Sequence, residues 1–394
     1  MPDSVLTRKV PSSHRILLTG GTGFLGSHIG VALLRKGYEV TFLARPHSHL
    51  PAAQRVDGIL AWHGVPPADR QRALVVQGNI AEGGLGMEAG ARRALAGRID
   101  QIVHCASDTS FAEGDRDSLA AVNVAGLGHL LDFAAASPCS AFHHLSTAYV
   151  AGRRSGLCPE ALVEGDAFYN PYEETKCRGE WLASERCRAA GIPLTIYRPS
   201  IVYGHSETGQ TLQFNTLYHP VRVAYLLKKL YETDIRERGG KRAVQMGVRM
   251  EPDGALFLPV RLDCREGSGI NLIPVDHFVA AFCAIREETA GGIYHIVSPR
   301  PSDLETLIDY TSALLGLRGI RACHCGPRHV EPRSRLETLV DAYLEPYAPY
   351  MNDTRAFATE RAAPILQRRG IVCPELDFNI FGRCIDYAME VGWK

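Results

Sequence analysis

The chain has 394 residues, which is long for one hydrophobic core and favours two lobes. Hydrophobic residues make up 45% and charged residues 22%, the balance of an ordinary globular protein. Basic and acidic residues both number 43, so the formal net charge is zero and a nucleic-acid binder that relies on overall charge is excluded. No apolar run approaches the length of a membrane span.

The eleven cysteines are scattered without regular spacing, and the N-terminus lacks an apolar leader segment. An odd count in this context is typical of reduced thiols and predicts a cytoplasmic protein. Cys323-His324-Cys325 is the one run that resembles a ligand cluster. Because no second cluster at zinc-site spacing accompanies it, we expect no metal.

The front half of the chain alternates strand and helix patterns. Residues 1–13 are polar and predict a flexible tail. Short apolar runs predict strands at Ile16–Thr19, Val40–Ala44, Leu74–Gln77, Ile102–Cys105, Ala141–Leu145 and Leu194–Tyr197. Longer stretches between several of them predict helices at Phe24–Lys36, Leu119–Ala136 and Tyr172–Ala190. This alternation predicts an α/β fold, a Rossmann-type doubly wound parallel sheet.

The rear half departs from this alternation. Residues 206–267 are irregular and aromatic, residues 271–285 and 292–297 look α/β again, and residues 301–394 are mostly helical in pattern. We therefore predict a Rossmann-type domain over 14–205, with 268–300 returning to it. Residues 206–267 and 301–394 would form a smaller, mostly helical substrate-binding lobe.

A glycine-rich loop follows the first predicted strand. Its sequence, from Thr19 to Gly26, fits G-x-x-G-x-x-G through Gly20, Gly23 and Gly26. Glycines here permit a tight turn and a close backbone approach to a pyrophosphate, and the following helix offers free N–H groups. The position between a strand and a helix is the context that this motif requires, so we expect a dinucleotide site.

The end of the second predicted strand indicates which dinucleotide is bound. An acidic residue there would accept a hydrogen bond from a free ribose 2′-hydroxyl, but Ala44 is followed by Arg45, and residues 40–56 contain no acid. A guanidinium binds a 2′-phosphate, whereas a carboxylate repels it. The sequence therefore predicts NADPH as the cofactor, unless Arg45 is only a solvated loop charge.

Tyr172 and Lys176 form a Y-x-x-x-K motif at the start of a helical pattern. The i,i+4 spacing places both side chains on one helix face, where the ammonium is expected to lower the pKa of the phenol. Upstream, the fifth predicted strand runs into Ser146 and Thr147, which places a hydroxyl where open α/β sheets bind ligands. Together with the glycine loop, in this order along the chain, these residues are far more specific than any one of the motifs alone.

With these motifs the sequence resembles an extended short-chain dehydrogenase/reductase. It is most similar to the branch of thioester reductase domains, carboxylic acid reductase terminal domains and fatty acyl-CoA reductases. The resemblance covers roughly residues 14–300 and rests on the segments LTGGTGFLGSHI, IVHCASDTSF, VNVAGLGHLL, HLSTAYVAG, YEETK, YRPSIVYGHSETG and NLIPVDHFVAAF.

The resemblance implies a role for each matched position. Thr147, Tyr172 and Lys176 would be the catalytic triad, with Ser146 a weaker candidate, and Asn123 would support the lysine and its water. The expected cofactor-binding residues are Gly20, Gly23, Phe24, Leu25, Gly26, Arg45, Asn79, Ile80, Cys105, Ala106, Ser107, Tyr172, Lys176, Pro199, Ser200 and Ile201. Asn79 departs from the family, which usually has an Asp beside the adenine.

The reaction implied is hydride transfer from NADPH to an acyl-thioester, carried by CoA or a carrier protein, to give an aldehyde and, in a further step, an alcohol. Three alternatives remain open. The same triad serves ketone or aldehyde reductases. It also serves nucleotide-sugar epimerases and dehydratases, which usually retain NAD. A non-enzymatic NADPH-binding sensor or scaffold is the third, although it would not need an intact triad.

Two features of the rear half bear on the substrate. Apolar and aromatic residues recur at helical spacing within residues 212–231, which fits either an acyl tunnel or a buried helix interrupted by Pro220. From Arg222 to Arg249 there are eight basic and three acidic residues. Lys228, Lys229, Lys241 and Arg242 in this segment would attract a phosphopantetheine arm or an acidic carrier, or else form a solvated face.

Overall fold

A computed structural model describes residues 14–165, 167–324 and 332–394. Its strands are β1 Arg15–Thr19, β2 Glu39–Ala44, β3 Ala73–Gln77, β4 Gln101–His104, β5 Ala141–Leu145, β6 Gly156–Cys158, β7 Leu194–Pro199, β8 Ile201–Tyr203, β9 Arg249–Met250, β10 Leu256–Asp263, β11 Leu272–Pro274, β12 Gly292–Ile296, β13 Leu317–Cys323 and β14 Arg355–Phe357.

The α-helices are α1 Phe24–Arg35, α2 Ala52–Trp62, α3 Pro67–Arg70, α4 Ala89–Ala96, α5 Arg116–Ala120, α6 Leu127–Ala135, α7 Pro171–Ala189, α8 Tyr218–Glu237, α9 Lys241–Gln245, α10 Val275–Glu288, α11 Leu304–Leu315, α12 Arg335–Leu344, α13 Ala348–Met351, α14 Ala362–Arg368 and α15 Phe378–Glu390. A π-helical turn, Ala121–Gly126, joins α5 to α6.

The central sheet has the order β12-β7-β5-β4-β1-β2-β3 in the described part of the chain. From β3 to β7 along this order, each strand pairs in parallel with its neighbour, and β1 lies between β2 and β4. The strand order reverses direction beside β1, so the carboxyl ends of β1 and β4 form the crevice in which doubly wound sheets bind ligands. The predicted α/β Rossmann-type fold is confirmed.

The six strands predicted in the front half are all present, most of them shifted at one end by one or two residues. The predicted helix over 119–136 is instead two α-helices with the π-turn between them. A π-turn inserts one residue into a helix and is frequent at functional sites. Here it carries Asn123 on the buried side of the helix.

The helical stretch Glu113–Ala135 is long and apolar enough, by length and composition, to cross a membrane. Leu119, Leu127 and Leu130 on this stretch are fully buried within the protein. Leu127 and Leu130 belong to a core cluster that also includes Leu17 and Phe142 of the sheet. The stretch therefore packs as the core helix of a globular domain, since its apolar face is already covered.

Two compact units divide the chain. The first comprises the residues up to Val150, together with Ala161–Arg198 and Phe282–Tyr294. The second comprises Ala151–Glu160, Pro199–Ala281 and His295–Lys394. The domain limits predicted from sequence, at residues 205, 268 and 300, stay a prediction.

The second unit contains a small sheet that the sequence pattern did not reveal. In this sheet β10 pairs in parallel with β13 and antiparallel with β9. Helix α8 begins at Tyr218, so Pro220 lies in its first turn, where proline is tolerated and does not interrupt the helix. The residues Val221, Leu227 and Tyr231 of α8 are buried in the core of this unit.

A buried ion pair connects helix α7 to strand β7 in the first unit. The Arg198 guanidinium donates to both carboxylate oxygens of Glu180, at 2.9 and 2.5 Å, and the two side chains are each 1% exposed. Arg198 also donates to the carbonyl oxygen of Ala161. This bidentate pair holds α7 against the sheet, and the pair remains favourable only while both charges are present.

We expect Glu180→Ala to lower the free energy of unfolding by about 3–5 kcal/mol, because it leaves a buried guanidinium without its counter-charge. Replacing both partners, with Glu180→Leu and Arg198→Met, should recover most of that loss. Urea unfolding of the two variants measures the difference. A Glu180→Ala protein as stable as wild type would show that the pair does not hold the helix in place.

Candidate active site

The glycine loop between β1 and α1 is shaped by close backbone approaches. Gly20 has φ +72°, and a Cβ atom there would lie 2.5 Å from the amide nitrogen of Ala106. Gly23 caps α1 with no side-chain hydrogen bond, so no capping side chain occupies the first amides of the helix. Phe24 and Leu25 are the first two residues of this helix. The loop thus fits a pyrophosphate, which would be bound by backbone N–H groups.

Two arginines lie beside this loop. Arg45 follows β2 and is exposed, and its carbonyl oxygen accepts a hydrogen bond of 2.6 Å from Arg55. The Arg55 guanidinium also donates to Thr22 Oγ1 at 2.9 Å. Burial, followed by repulsion from Arg45, lowers the pKa of Arg55. Two like charges held together beside the glycine loop would favour a phosphate ligand.

Arg55 was missed by sequence reasoning, although one signal for it existed. It sits in α2, ten positions after Arg45, in the stretch of residues 40–56 that contains no acid. The motif at the end of β2 does not indicate which side chain of the next helix returns to the glycine loop.

Asn79 and Ile80 follow β3. The Asn79 side chain donates to Glu82 Oε1 at 2.8 Å and accepts from the Ala81 amide, which shapes the turn. Ile80 is 7% exposed and belongs to the core cluster of the first unit. Their predicted contact with the adenine stays a prediction, and the packing role of Ile80 is established independently of it.

Helix α7 presents the Tyr172 and Lys176 pair. Asn170 caps the helix by accepting from the Glu173 amide, and Pro171 occupies the first helical position. Tyr172 is therefore in the first turn, partly exposed, while Lys176 one turn later is buried. Lys176 Nζ donates to the carbonyl oxygen of Leu145, the last residue of β5, at 2.5 Å.

Thr147 and Ser146 follow directly on Leu145. Thr147 is 5% exposed, hydrogen-bonds the Tyr172 phenol, and accepts from the Tyr149 amide at 3.3 Å. The Ser146 hydroxyl is buried and has no hydrogen-bond partner among the described residues. The Ser146 amide donates to the backbone carbonyl of Tyr197. The structure thus brings Thr147, rather than Ser146, together with Tyr172.

Burial dominates the electrostatics of the pair. It raises the pKa of Tyr172, and the hydrogen bond from Thr147 offsets only part of that rise. Burial lowers the pKa of Lys176 to about 8, against a partial increase from the Glu180 carboxylate. The influences on the phenol are burial, the hydrogen bond from Thr147 and the charge of Glu173, so the expected lowering of its pKa by the lysine is not found in the protein alone.

Asn123 connects the site to the loop after β4. Its side-chain oxygen accepts from Ser107 Oγ at 3.0 Å and from the Asp108 amide at 2.8 Å, and its Nδ2 donates to Thr175 Oγ1 at 3.1 Å. The side chain therefore bonds to the neighbour of Lys176 on helix α7, and not to the lysine itself. The predicted support of the lysine would then be indirect, through the position of the helix.

Cys105, Ala106 and Ser107 form that loop. The Cys105 amide donates to the Thr19 carbonyl and the Ala106 amide to Thr19 Oγ1, which places the loop beside the glycine loop. Burial raises the pKa of the Cys105 thiol, so it is not a standing nucleophile. The loop lines the same edge of the sheet as the Thr147 hydroxyl.

Pro199, Ser200 and Ile201 belong to the second unit. Pro199 is the last residue of β7. The Ser200 amide donates to the backbone carbonyl of Ile296, and the Ile201 amide donates to the backbone carbonyl of Asn271. The Ser200 hydroxyl is buried and has no hydrogen-bond partner among the described residues. Their contact with a cofactor stays a prediction.

The basic segment is also in the second unit, and its members differ. Lys228 Nζ donates to the carbonyl of Leu315 at 2.6 Å and lies 3.7 Å from Glu232 Oε1. These contacts within the protein indicate a structural role for Lys228. Lys229, Lys241 and Arg242 are exposed. Of the run Cys323-His324-Cys325, the last residue lies outside the described residues. The described part of the chain has no group of three or more ligating side chains arranged for a metal.

Comparison with known proteins supplies the family context. The family described as "Male sterility protein" matches residues 18–282, more than half of the chain. A linear gramicidin synthase from Brevibacillus parabrevis is 23% identical over 404 residues, which cover 95% of this chain and 7% of that protein. The chain thus spans a small part of the length of this relative.

Two solved structures share the fold. The terminal R domain of the myxalamid PKS-NRPS biosynthetic pathway has a TM-score of 0.75 at 22% identity, covering 98% of this chain and 93% of that chain. UDP-glucuronic acid 4-epimerase from Bacillus cereus, in complex with NAD, has a TM-score of 0.62 at 18% identity, covering 96% and 99%. At these identities the likeness establishes the fold alone.

The depressed pKa of Lys176 predicts a pH-dependent stability. The pKa of Lys176 is about 8 in the folded protein and 10.5 in the unfolded chain, so the unfolded chain binds more protons between these two pH values. Burial of the lysine charge therefore lowers the free energy of unfolding most below pH 8. We expect Lys176→Met to be stabilised relative to wild type most at pH 7. The advantage should shrink by about 1.4 kcal/mol per pH unit from pH 8 towards pH 10.5. Urea unfolding across this range measures it, and a pH-independent difference would contradict the assignment.

Proposed function

The chain belongs to the male sterility protein family, and from that premise we propose that it is an NADPH-dependent reductase that converts an acyl-thioester into an aldehyde and a free thiol. The observation that carries the proposal is the meeting of Thr147, Tyr172 and Lys176 at the carboxyl end of β5. The glycine loop lies two strands away on the same edge of the sheet.

The residues around the glycine loop would bind a nicotinamide adenine dinucleotide phosphate, NADPH. Gly20 and Gly23 leave the backbone open to a pyrophosphate, and Arg45 and Arg55 supply two positive charges at the end of β2. When bound, this cofactor supplies the hydride. A carboxylate at the end of β2, which would favour NADH, is missing from residues 40–56.

The chain's own residues handle the oxygen and the proton. Tyr172 and Thr147 would hydrogen-bond the carbonyl oxygen as negative charge develops on it, and Tyr172 would donate its proton there. Lys176, fixed by the Leu145 carbonyl, would supply positive charge next to the phenol and favour its deprotonated form. The hemithioacetal then collapses to the aldehyde and the thiol, so one hydride and one proton enter for each thioester cleaved.

The role of Tyr172 is tested by removing only its hydroxyl. General acid catalysis contributes about 10²–10⁴-fold, so Tyr172→Phe should lose turnover by that factor while its NADPH affinity stays within a few-fold of wild type. The matched control is Tyr38→Phe, a tyrosine in the turn before β2 with its ring against Arg286. Turnover measured by NADPH oxidation with an acyl-CoA decides, and a fully active Tyr172→Phe protein would refute the role.

The cofactor preference is tested on the two arginines. Charge-assisted hydrogen bonds to a phosphate are worth about 1.5–3 kcal/mol, so Arg45→Ala and Arg55→Ala should each weaken NADPH binding about tenfold or more and leave NADH binding nearly unchanged. Arg98→Ala, an exposed arginine before β4, is the control. Calorimetry with both cofactors measures the effect. Equal losses for NADPH and NADH would reduce the two arginines to a structural role.

The carrier-borne form of the substrate is tested on the exposed basic residues of the second unit. Reversing Lys229, Lys241 and Arg242 to Glu should raise KM for a carrier-bound or CoA thioester, because long-range attraction speeds association, and should spare kcat. Lys228 is left intact because it holds Leu315. Added salt should shrink the difference, since the Debye length is about 8 Å at physiological ionic strength.

A small uncharged aldehyde is the control substrate for these variants and should be reduced as well as by wild type. If kcat/KM for the charged thioester is unchanged at low salt, the basic segment is only a solvated face. A free ketone or aldehyde then becomes the better candidate substrate.

A further inference from the structure

The loop between β4 and α5, residues 105–115, carries an aromatic side chain beside the Tyr172 phenol. The ring centroids of Phe111 and Tyr172 are 5.9 Å apart, and the ring planes are inclined by 43°. Both side chains are partly exposed, and both residues belong to the first unit. Aromatic pairs with ring centroids about 4.5–7 Å apart attract each other beyond the effect of the area they bury. Phe111 therefore packs against the ring whose hydroxyl meets Thr147.

Hydrogen bonds to the π-turn fix the beginning of this loop. The Asp108 amide donates to Asn123 Oδ1 at 2.8 Å, and Asn123 Nδ2 donates to the Asp108 carbonyl at 2.9 Å. The Asp108 carboxylate accepts from the Ser110 amide at 3.0 Å and from Ser118 Oγ at 3.2 Å. The residues immediately before Phe111 are thus tied both to the π-turn and to helix α5.

An ion pair connects the far end of the loop to helix α7. The Arg116 guanidinium donates to Glu174 Oε2 at 2.5 Å and to both carboxylate oxygens of Glu113, at 3.1 and 3.2 Å. Glu174 lies two residues after Tyr172. Because the Arg116 side chain is 48% exposed, this anchor contributes less than the hydrogen bonds at the other end of the loop. The loop is nevertheless held on both sides of its aromatic residue.

Tyr172 requires such a contact because it lies in the first turn of α7 and is partly exposed. A displacement of about 1 Å at a reacting group can cost about 10²-fold in rate. We propose that Phe111 is a positioning residue, which holds the Tyr172 ring so that its hydroxyl stays against Thr147. The consequence for the reaction rests on the proposed function, whereas the restraint on the ring rests on the loop and its contacts alone.

Phe111→Leu keeps an apolar side chain and removes the ring contact. An aromatic pair shifts an equilibrium by roughly two- to tenfold beyond its buried area, so the productive orientation of Tyr172 should be populated less by that factor. We expect kcat to fall by about the same factor, with KM and NADPH affinity within about twofold of wild type. Phe111→Tyr keeps the ring and should restore kcat. NADPH oxidation with an acyl-CoA, and in parallel with a small uncharged aldehyde, measures these effects.

A second background separates positioning from a general structural role. If Phe111 acts through the Tyr172 hydroxyl, Phe111→Leu should not lower the residual turnover of Tyr172→Phe any further. A structural role, or a direct contact with substrate, would lower turnover by the same factor in both backgrounds. The matched control is Phe378→Leu, which removes a ring 5.5 Å from that of Tyr310 in the second unit and should leave kcat unchanged.

Unfolding measures the ring contact without any turnover. Urea unfolding of wild type, Phe111→Leu, Tyr172→Leu and the double variant forms a cycle that isolates the interaction between the two side chains. The coupling should correspond to roughly a two- to tenfold change in the unfolding equilibrium constant. Both positions are partly exposed, so the variants are expected to fold, and the kinetic comparison stands by itself if one of them does not.

A Phe111→Leu protein with the kcat of wild type would overturn the proposal. So would equal losses of turnover in the wild-type and Tyr172→Phe backgrounds, or an unfolding cycle without coupling. A wild-type chain that reduces only the aldehyde would refute the thioester reaction, and the aldehyde would still decide on Phe111. A chain that reduces neither substrate would refute the proposed function, and the unfolding cycle would then decide whether Phe111 holds the Tyr172 ring.

Discussion

The hydrogen bond from Lys176 Nζ to the Leu145 carbonyl ties together the parts of the site. It joins the helix that carries Tyr172 to the end of the strand that delivers Thr147. The lysine must be buried to make this bond, and burial lowers its pKa to about 8. The buried positive charge of Lys176 lowers the free energy of unfolding, and contacts in the surrounding fold must compensate for that loss.

The surrounding contacts act on the same helix. Glu180, one turn after Lys176, partly restores the lysine's preference for the charged form and also forms the buried pair with Arg198. Asn123, on the π-turn, binds Thr175 on one side and the loop after β4 on the other. Helix α7 is therefore held from both sides, which fixes the Tyr172 phenol against Thr147. In the proposed reaction, preorganised donors of this kind would be effective because they need no rearrangement.

Much of the first unit could be predicted from the sequence, because its strands are short apolar runs and its loops carry motifs with a physical meaning. The glycine loop and the Tyr172/Lys176 spacing each predicted their local structure. The π-turn at Asn123 could not be predicted, since the apolar pattern over 119–136 is the same for a continuous helix. The pairing of β10 with β13, 61 residues apart at Leu256 and Leu317, depends on long-range contacts that periodicity does not encode. Arg55 was missed for the same reason, because its importance comes from a contact with Thr22 across two elements.

The most direct test of the central claim follows the hydride itself. The chain is incubated with NADPH deuterated at the transferable position of its nicotinamide and with an acyl-phosphopantetheine thioester, and the products are identified by mass. The account predicts an aldehyde carrying one deuterium at its carbonyl carbon, together with one equivalent of free thiol. An intact thioester with no deuterium transfer, or a purified protein that holds NAD and consumes no NADPH, would contradict it.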